Sequence, residues 1–387
     1  MFMVGPTFFS GEAAFAPVLT PGSEATIASP ASTTWVGAVP LSASKVIVMY
    51  SAAGQPLRAI VADVAGAVIT PATAVSIEAT WCVMAKAVAL SSTDVLVVYT
   101  RQSDGALRAV VLSVSGSTIT VNTAVTLVMG STALAYFSIA LIDSTHVIVG
   151  KSNSPGGYDF MVVTISGTTV TANTVYTHAT VGNPSLAAPY LALLSSTEVA
   201  VVYRDRWTVL STTADGARGM VLSVSGTTIT LPVGPQDLIH QYAPFGAHQH
   251  CMRAVSSSRV AFVLPPNAGG VFTAMQYDIA GGLFTPVGGV AASTANALVG
   301  SAQCFDVSGV TASGALVITV DSPNQDLAST PLHASGAGPV IGSRVVVRDN
   351  PSPLTYPAAA SLSATKKLVA YTDSASDASI GANPSQY

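Results

Sequence analysis

Ser115-Gly116-Ser117-Thr118-Ile119-Thr120 returns almost letter for letter as Ser166-Gly167-Thr168-Thr169-Val170-Thr171 and as Ser225-Gly226-Thr227-Thr228-Ile229-Thr230. Each copy closes a β-branched run with a two-residue turn led by glycine and leaves into a Thr/Ile-rich strand. That is hairpin chemistry, in which the turn needs positive φ. Ala65-Gly66, Ala280-Gly281, Ser335-Gly336 and, at the start, Pro21-Gly22 fall in step with these copies. A phrase that recurs with a period of about 50 to 60 residues marks one supersecondary unit repeated around an axis or along a line.

A second phrase keeps the same period. Leu90-Ser91-Ser92-Thr93-Asp94-Val95-Leu96-Val97-Val98-Tyr99 has counterparts opening at Leu41, Leu194 and Leu362 and ending at Tyr50, Tyr203 and Tyr371. More divergent copies begin near Leu141, Val255 and Val310. Each unit reads as four strands: a short Ala/Leu-rich one, the β-branched run ending at Tyr, a third like Leu107 to Val114, and a fourth after the glycine turn. Four antiparallel strands in each of seven units predict an all-β, seven-bladed β-propeller. The blades are expected to start near residues 35, 82, 134, 187, 250, 304 and 356. The last unit lacks an obvious third and fourth strand after Asp373, and residues 13–30 look like the missing pair. An N-terminal hairpin completing the last blade would remove two exposed sheet edges. The expected organisation is therefore an arm at 1–12, the propeller at 13–373 and a tail at 374–387.

Composition narrows the function classes. Charged residues make up 9% of the chain, far below the ~25% of an average soluble domain. A net charge of −4 with no basic cluster speaks against nucleic acid as a partner. The apolar runs are too short for membrane insertion. The N-terminus has neither a basic n-region nor a sustained apolar h-region, so it makes a poor signal peptide. Cys82, Cys251 and Cys304 are odd in number and widely spaced, which favours free buried thiols in a reducing compartment over a disulfide framework.

The Leu-Ser-x-Thr-x-Val-x-Val-x-Tyr and Val-Ser-Gly-Thr-Thr-Ile-Thr phrases resemble those of propeller-repeat proteins found in bacteriophage structural modules (tail, fibre, virion) and in some bacterial surface proteins. The likeness runs over about residues 13 to 373 and is one of fold. It implies a virion component or a receptor- or glycan-binding module, assembled in the host cytoplasm, with an extracellular or cell-surface location as the alternative.

Catalytic signatures are missing. Ser103-Asp104-Gly105 and Ala214-Asp215-Gly216 lack the spacing and aromatic residue of a sialidase Asp box and read as hairpin turns; Lys86 and Asp306 are isolated charges. No catalytic residue and no cofactor are expected. His248 and His250 have the alternate spacing of two metal ligands on an extended segment but no third ligand at a fixed distance, so a metal site is a weak reading. Two long connections carry better recognition candidates. One holds Arg204, Arg206 and Trp207, the other Tyr242 and Phe245, and both belong on the face that carries the blade-to-blade loops. Phe2, Met3, Phe8 and Phe9 make the N-terminal arm an assembly candidate. Trp35 and Trp81 are expected to pack between blades.

Two readings follow. The leading one is a non-enzymatic virion structural or adhesion protein whose partners are other virion proteins or further copies of itself. The alternative is a lectin-like propeller that binds a host-surface glycan between its blades. The alternative predicts polar and aromatic residues recurring at one place in several blades, and the recurrent tyrosines answer equally well to packing.

Overall fold

The computed structural model describes residues 2–4, 25–28, 33–52, 54–66, 68–128, 137–153, 156–180, 188–209, 212–240, 251–264, 273–292, 305–309, 314–320, 327–335, 337–342, 345–348, 354–362, 366–373 and 379–386. Among them there is no helix, and the strands fall into seven antiparallel sheets. The second sheet shows the plan. Cys82–Ala89, Asp94–Arg101 and Leu107–Ser115 pair in order, and the outermost position is shared by Thr118–Val121 and Val125–Val128. The first strands of successive sheets neighbour one another in a cycle that runs from Thr33–Ser42 through Cys82–Ala89, Phe137–Asp143, Tyr190–Ser195, Cys251–Ser256 and Phe305–Gly309 to Leu354–Ser361, and from there back to Thr33–Ser42. The chain is a closed β-propeller with the first strand of each sheet innermost.

The two recurrent phrases turn out to be hydrogen-bonded to each other. In the Ser-x-Ser/Thr turn between first and second strands, the leading serine accepts the backbone N–H two residues on: Ser42 from Ser44 (3.2 Å), Ser91 from Thr93 (3.1 Å), Ser195 from Thr197 (3.3 Å) and Ser256 from Ser258 (3.2 Å). The carbonyl of the last turn residue then accepts from the third strand, as in Val64 N to Ser44 O (2.7 Å), Val114 N to Thr93 O (2.7 Å) and Val224 N to Thr197 O (2.8 Å). Those third strands end in the glycine turns, where Gly116 at φ 60° and Gly226 at φ 58° hold the backbone region a side chain disfavours. Turn chemistry therefore sets the register of three strands at once.

Core residues lie between sheets. Val46, Val48, Ile60 and Ala62 of the first sheet pack against Ala358, Ala360, Leu368 and Ala370 of the seventh, which seals the ring. Equivalent apolar layers join the first to the second sheet, the second to the third, the third to the fourth and the fourth to the fifth. Each buried Val, Ile or Leu side chain contributes roughly 1.5–3 kcal/mol, and each alanine methyl less.

Three expectations need correction. The seventh sheet is not completed by an N-terminal hairpin alone. Ser379–Gln386, read as part of a tail, is its third strand, paired along Lys366–Asp373, and Ala25–Ala28 is the strand outside it. The segment has a single β-branched residue and contains Gly381 and Pro384, so its own propensity hides a strand that an open edge recruits. Phe2–Val4, placed in a free arm, is also in register with Lys366–Leu368, while Phe8 and Phe9 lie outside the described residues. Finally, Asp215-Gly216 is not a turn. Glu198–Val209 and Thr212–Ser225 continue as one long hairpin, with Asp215 opposite Arg206 and Gly216 opposite Asp205. Extended ladder pairing overrides the local turn preference there.

Candidate functional site

Both hairpin turns of a sheet sit on one face of the ring. The opposite face carries the connections between second and third strands and those between sheets. On that face the register brings together residues that lie apart in sequence. Tyr50 opposes Arg58, Tyr99 opposes Arg108, and Tyr203 opposes Arg218. In all three sheets a tyrosine of the second strand faces an arginine of the third, near the strand ends in the first two and midway along the long hairpin in the fourth. The third sheet puts Lys151 opposite Asp159 at this place.

The tyrosines face the preceding sheet, since Tyr50 packs in the layer against the seventh, Tyr99 in that against the first and Tyr203 in that against the third. The preceding sheet supplies polar partners in turn. Glu78, at the end of Val75–Glu78 in the first sheet, accepts the Tyr99 hydroxyl (3.1 Å) and Arg108 Nη1 (2.8 Å). The two ionic side chains keep 21% (Arg108) and 11% (Glu78) of their exposure, so the pair is recessed yet reachable. Arg108 Nη2 also donates to the Ala124 carbonyl (3.3 Å). Half-buried Trp81 follows on the connection between the sheets, and its carbonyl accepts the Gln102 N–H (3.0 Å). At the rim Arg101 and Asp104 form an ion pair that holds the Asp104 carboxyl down at about 2. Cys82 lies beneath, its thiol pushed up to about 12 by burial and then by the Glu78 charge, so it is no nucleophile at neutral pH.

Two polar atoms of the second sheet, one on its third strand and one on the turn that leads to it, are buried without a hydrogen-bond partner among the described residues: Arg108 Nε, a donor, and Gln102 Oε1, an acceptor. Orphaned buried groups are scarce in native folds because each costs about 1–3 kcal/mol. An unmet donor and an unmet acceptor are the complementary groups of a hydroxyl, and both atoms here are shielded from solvent, so a guest reaches them only when side chains move aside.

Between the third and fourth sheets the same Tyr–Arg pair is satisfied internally. Arg218 donates to Asp205 (3.2 Å) and Asp237 (2.7 Å), and Asp205 has no exposed side-chain surface. Tyr203 meets His178 Nε2 at 3.0 Å, and its ring packs edge-on against Tyr158 at 5.0 Å between centroids. Tyr158 donates to the Arg204 carbonyl at 2.8 Å. Between the second and third sheets Lys151 lies 3.9 Å from Asp159, whose other oxygen accepts from Asn153 (3.0 Å) and Thr177 (2.8 Å). Burial lowers the Lys151 pKa and the Asp159 charge opposes that shift.

The sequence candidates distribute unevenly. Arg204 is a buried strand residue and not part of an exposed loop, because the hairpin runs on past it. Arg206 and Trp207 extend the same strand. Tyr242, Phe245, His248 and His250 lie outside the described residues. The arginines opposite the recurrent tyrosines went unread. Their signal was the phrase Leu57-Arg58-Ala59, Leu107-Arg108-Ala109 and Ala217-Arg218-Gly219, obscured by connections of unequal length from the tyrosine.

No protein-family model matches this chain, and no curated protein matches it in sequence. Solved structures do share its fold. The BP39L lectin from Burkholderia pseudomallei superposes with a TM-score of 0.63 at 11% identity, covering 92% of this chain and 98% of the lectin. A 6-phosphogluconolactonase-named protein from Bacteroides fragilis gives a TM-score of 0.53 at 9% identity, covering 85% and 91%. At such identities the likeness is one of β-propeller architecture.

Proposed function

We propose that this chain is a non-enzymatic, carbohydrate-binding propeller and that the cleft between its first and second sheets holds a neutral sugar. The observation that carries the reading is the pair of orphaned atoms, Arg108 Nε and Gln102 Oε1, beside Glu78 and Trp81. A sugar hydroxyl would accept from Arg108 and donate to Gln102, and a second hydroxyl would donate to Glu78. The partly exposed Trp81 indole supplies the aromatic surface that sugar C–H faces favour. Hydrolysis is not part of the reading, because glycoside cleavage ordinarily needs two carboxylates flanking the bond. Asp104, the acid at the rim, is tied to Arg101. A structural neighbour bearing the name lectin supports the same class.

A glycan array followed by calorimetry with neutral methyl glycosides tests the proposal. Binding by the wild-type protein should fall by about tenfold or more in Arg108→Gln and Glu78→Gln, as expected when a charge-assisted hydrogen bond is lost. A folded wild-type protein that binds no saccharide would overturn it. Placement on a virion surface belongs to the proposal as its setting, supported by the repeat phrases, and labelling of intact particles with an antibody to this chain tests that part separately.

A further inference from the structure

The three Tyr–Arg pairs share a register position and differ in how many carboxylates meet the arginine. Arg218 has two, Asp205 and Asp237; Arg108 has one, Glu78. Arg58 has none among the described residues, and its place in the strand is exposed. It stands opposite Tyr50 in the ladder, where burial raises the tyrosine pKa and the Arg58 charge holds it back. The reason is visible in the sequence. The segment equivalent to the one bearing Glu78 leads from the seventh sheet into the first, and residues 25–36 contain neither Asp nor Glu. Glu78 itself lies opposite Leu57, beside Arg58 in the ladder, yet its side chain serves the other face of the sheet, toward Tyr99 and Arg108.

We propose that Tyr50 and Arg58 form a second saccharide subsite, one selective for an anionic group such as a uronate carboxylate or a sulfate ester. The inference rests on the reading that the Tyr–Arg position is where ligands bind. An oxyanion at Arg108 would stand beside the Glu78 carboxylate, and at Arg218 beside two aspartates, so like-charge repulsion excludes it from both. Arg58 meets no carboxylate among the described residues, so its guanidinium fork can take two oxygens of one oxyanion side by side. Tyr50 stands opposite it in the ladder. One ring thus carries one position built for neutral sugars, one for acidic sugars, and one closed by its own side chains.

The test is calorimetry on the full chain with methyl glucuronide, galactose 6-sulfate and a neutral methyl glycoside that the wild-type protein binds. Arg58→Gln should weaken the anionic probe by about tenfold or more and leave the neutral one unchanged. Arg108→Gln should do the reverse. Arg58→Lys should restore part of the anionic affinity, since it keeps the charge and loses the fork. Added salt should weaken only the anionic probe. Arg58 is exposed, so both of its variants should melt like wild type, and that control separates a lost contact from a lost fold. Glucuronide and sulfate affinities that Arg58→Gln leaves unchanged would overturn the inference. So would a protein that binds the neutral glycoside and neither anionic probe, and in that case the proposed function survives. Failure of every saccharide would remove both.

Discussion

Glu78 and Arg108 meet across a sheet boundary, Oε2 to Nη1 at 2.8 Å, although each belongs to a different repeat of the chain. The contact joins one unit's outermost strand to the next unit's third strand, and it places a recessed ion pair where two sheets diverge. Tyr99, buried beneath, donates to the same carboxylate oxygen. Tyr99→Phe should therefore cost about 1 kcal/mol of stability in urea unfolding. It should reduce saccharide affinity less than Arg108→Gln does, because the arginine and not the phenol carries the unmet donor.

Asp205 and Arg218 provide the contrasting case of a closed position. Arg218→Ala would leave the wholly buried Asp205 carboxylate without its guanidinium. Loss of one partner of a buried pair costs about 3–5 kcal/mol, so the unfolding midpoint should drop sharply. Asp237→Asn, at a more exposed carboxylate on the same arginine, should change it by less than about 1 kcal/mol.

His178 should make the ring sensitive to mild acid. Burial lowers its pKa from 6.5 more than the Asp205 charge raises it, and Arg218 adds to the lowering. As the pH falls below 6.5, the unfolded chain takes up this proton before the folded one does. The contribution is thus complete above 6.5 and is lost as the pH drops toward the folded value. The slope of stability against pH should be positive in that window and shallower in His178→Gln. Equal slopes in the two proteins would show that this histidine is not the sensor.

Gly150 occupies a place on the second strand of the third sheet where an added Cβ would meet Phe160 Cδ1 and Cε1 at 2.9 Å and Pro189 Cγ at 3.1 Å. Gly150→Ala should lower stability by about 1–3 kcal/mol through overpacking. A variant that melts like wild type would mean the Phe160 ring shifts without penalty.

Truncation after Asp373 removes the third strand of the seventh sheet and strips Lys366–Asp373 of its pairing with Ser379–Gln386. The seam between the first and last sheets should open, which would be seen as a lower, broader thermal transition and concentration-dependent aggregation from the new edge. A truncated chain with the wild-type transition would show that the ring closes without this strand.

The sequence alone determined the architecture. Turn chemistry and β-branched alternation are local properties, and a repeated Ser-Gly-Thr-Thr-Ile-Thr phrase states them in the order in which the strands pair. It also contained every residue of the candidate site. The sequence did not show Tyr50 with Arg58, Tyr99 with Arg108 or Tyr203 with Arg218 as pairs, because the connections between them differ in length and only ladder register aligns them. Nor could it show that Glu78 serves the following sheet, or that a glycine- and proline-bearing tail becomes a strand. Those outcomes depend on which edge or charge the closed ring brings within hydrogen-bonding distance, a through-space condition that no local propensity encodes.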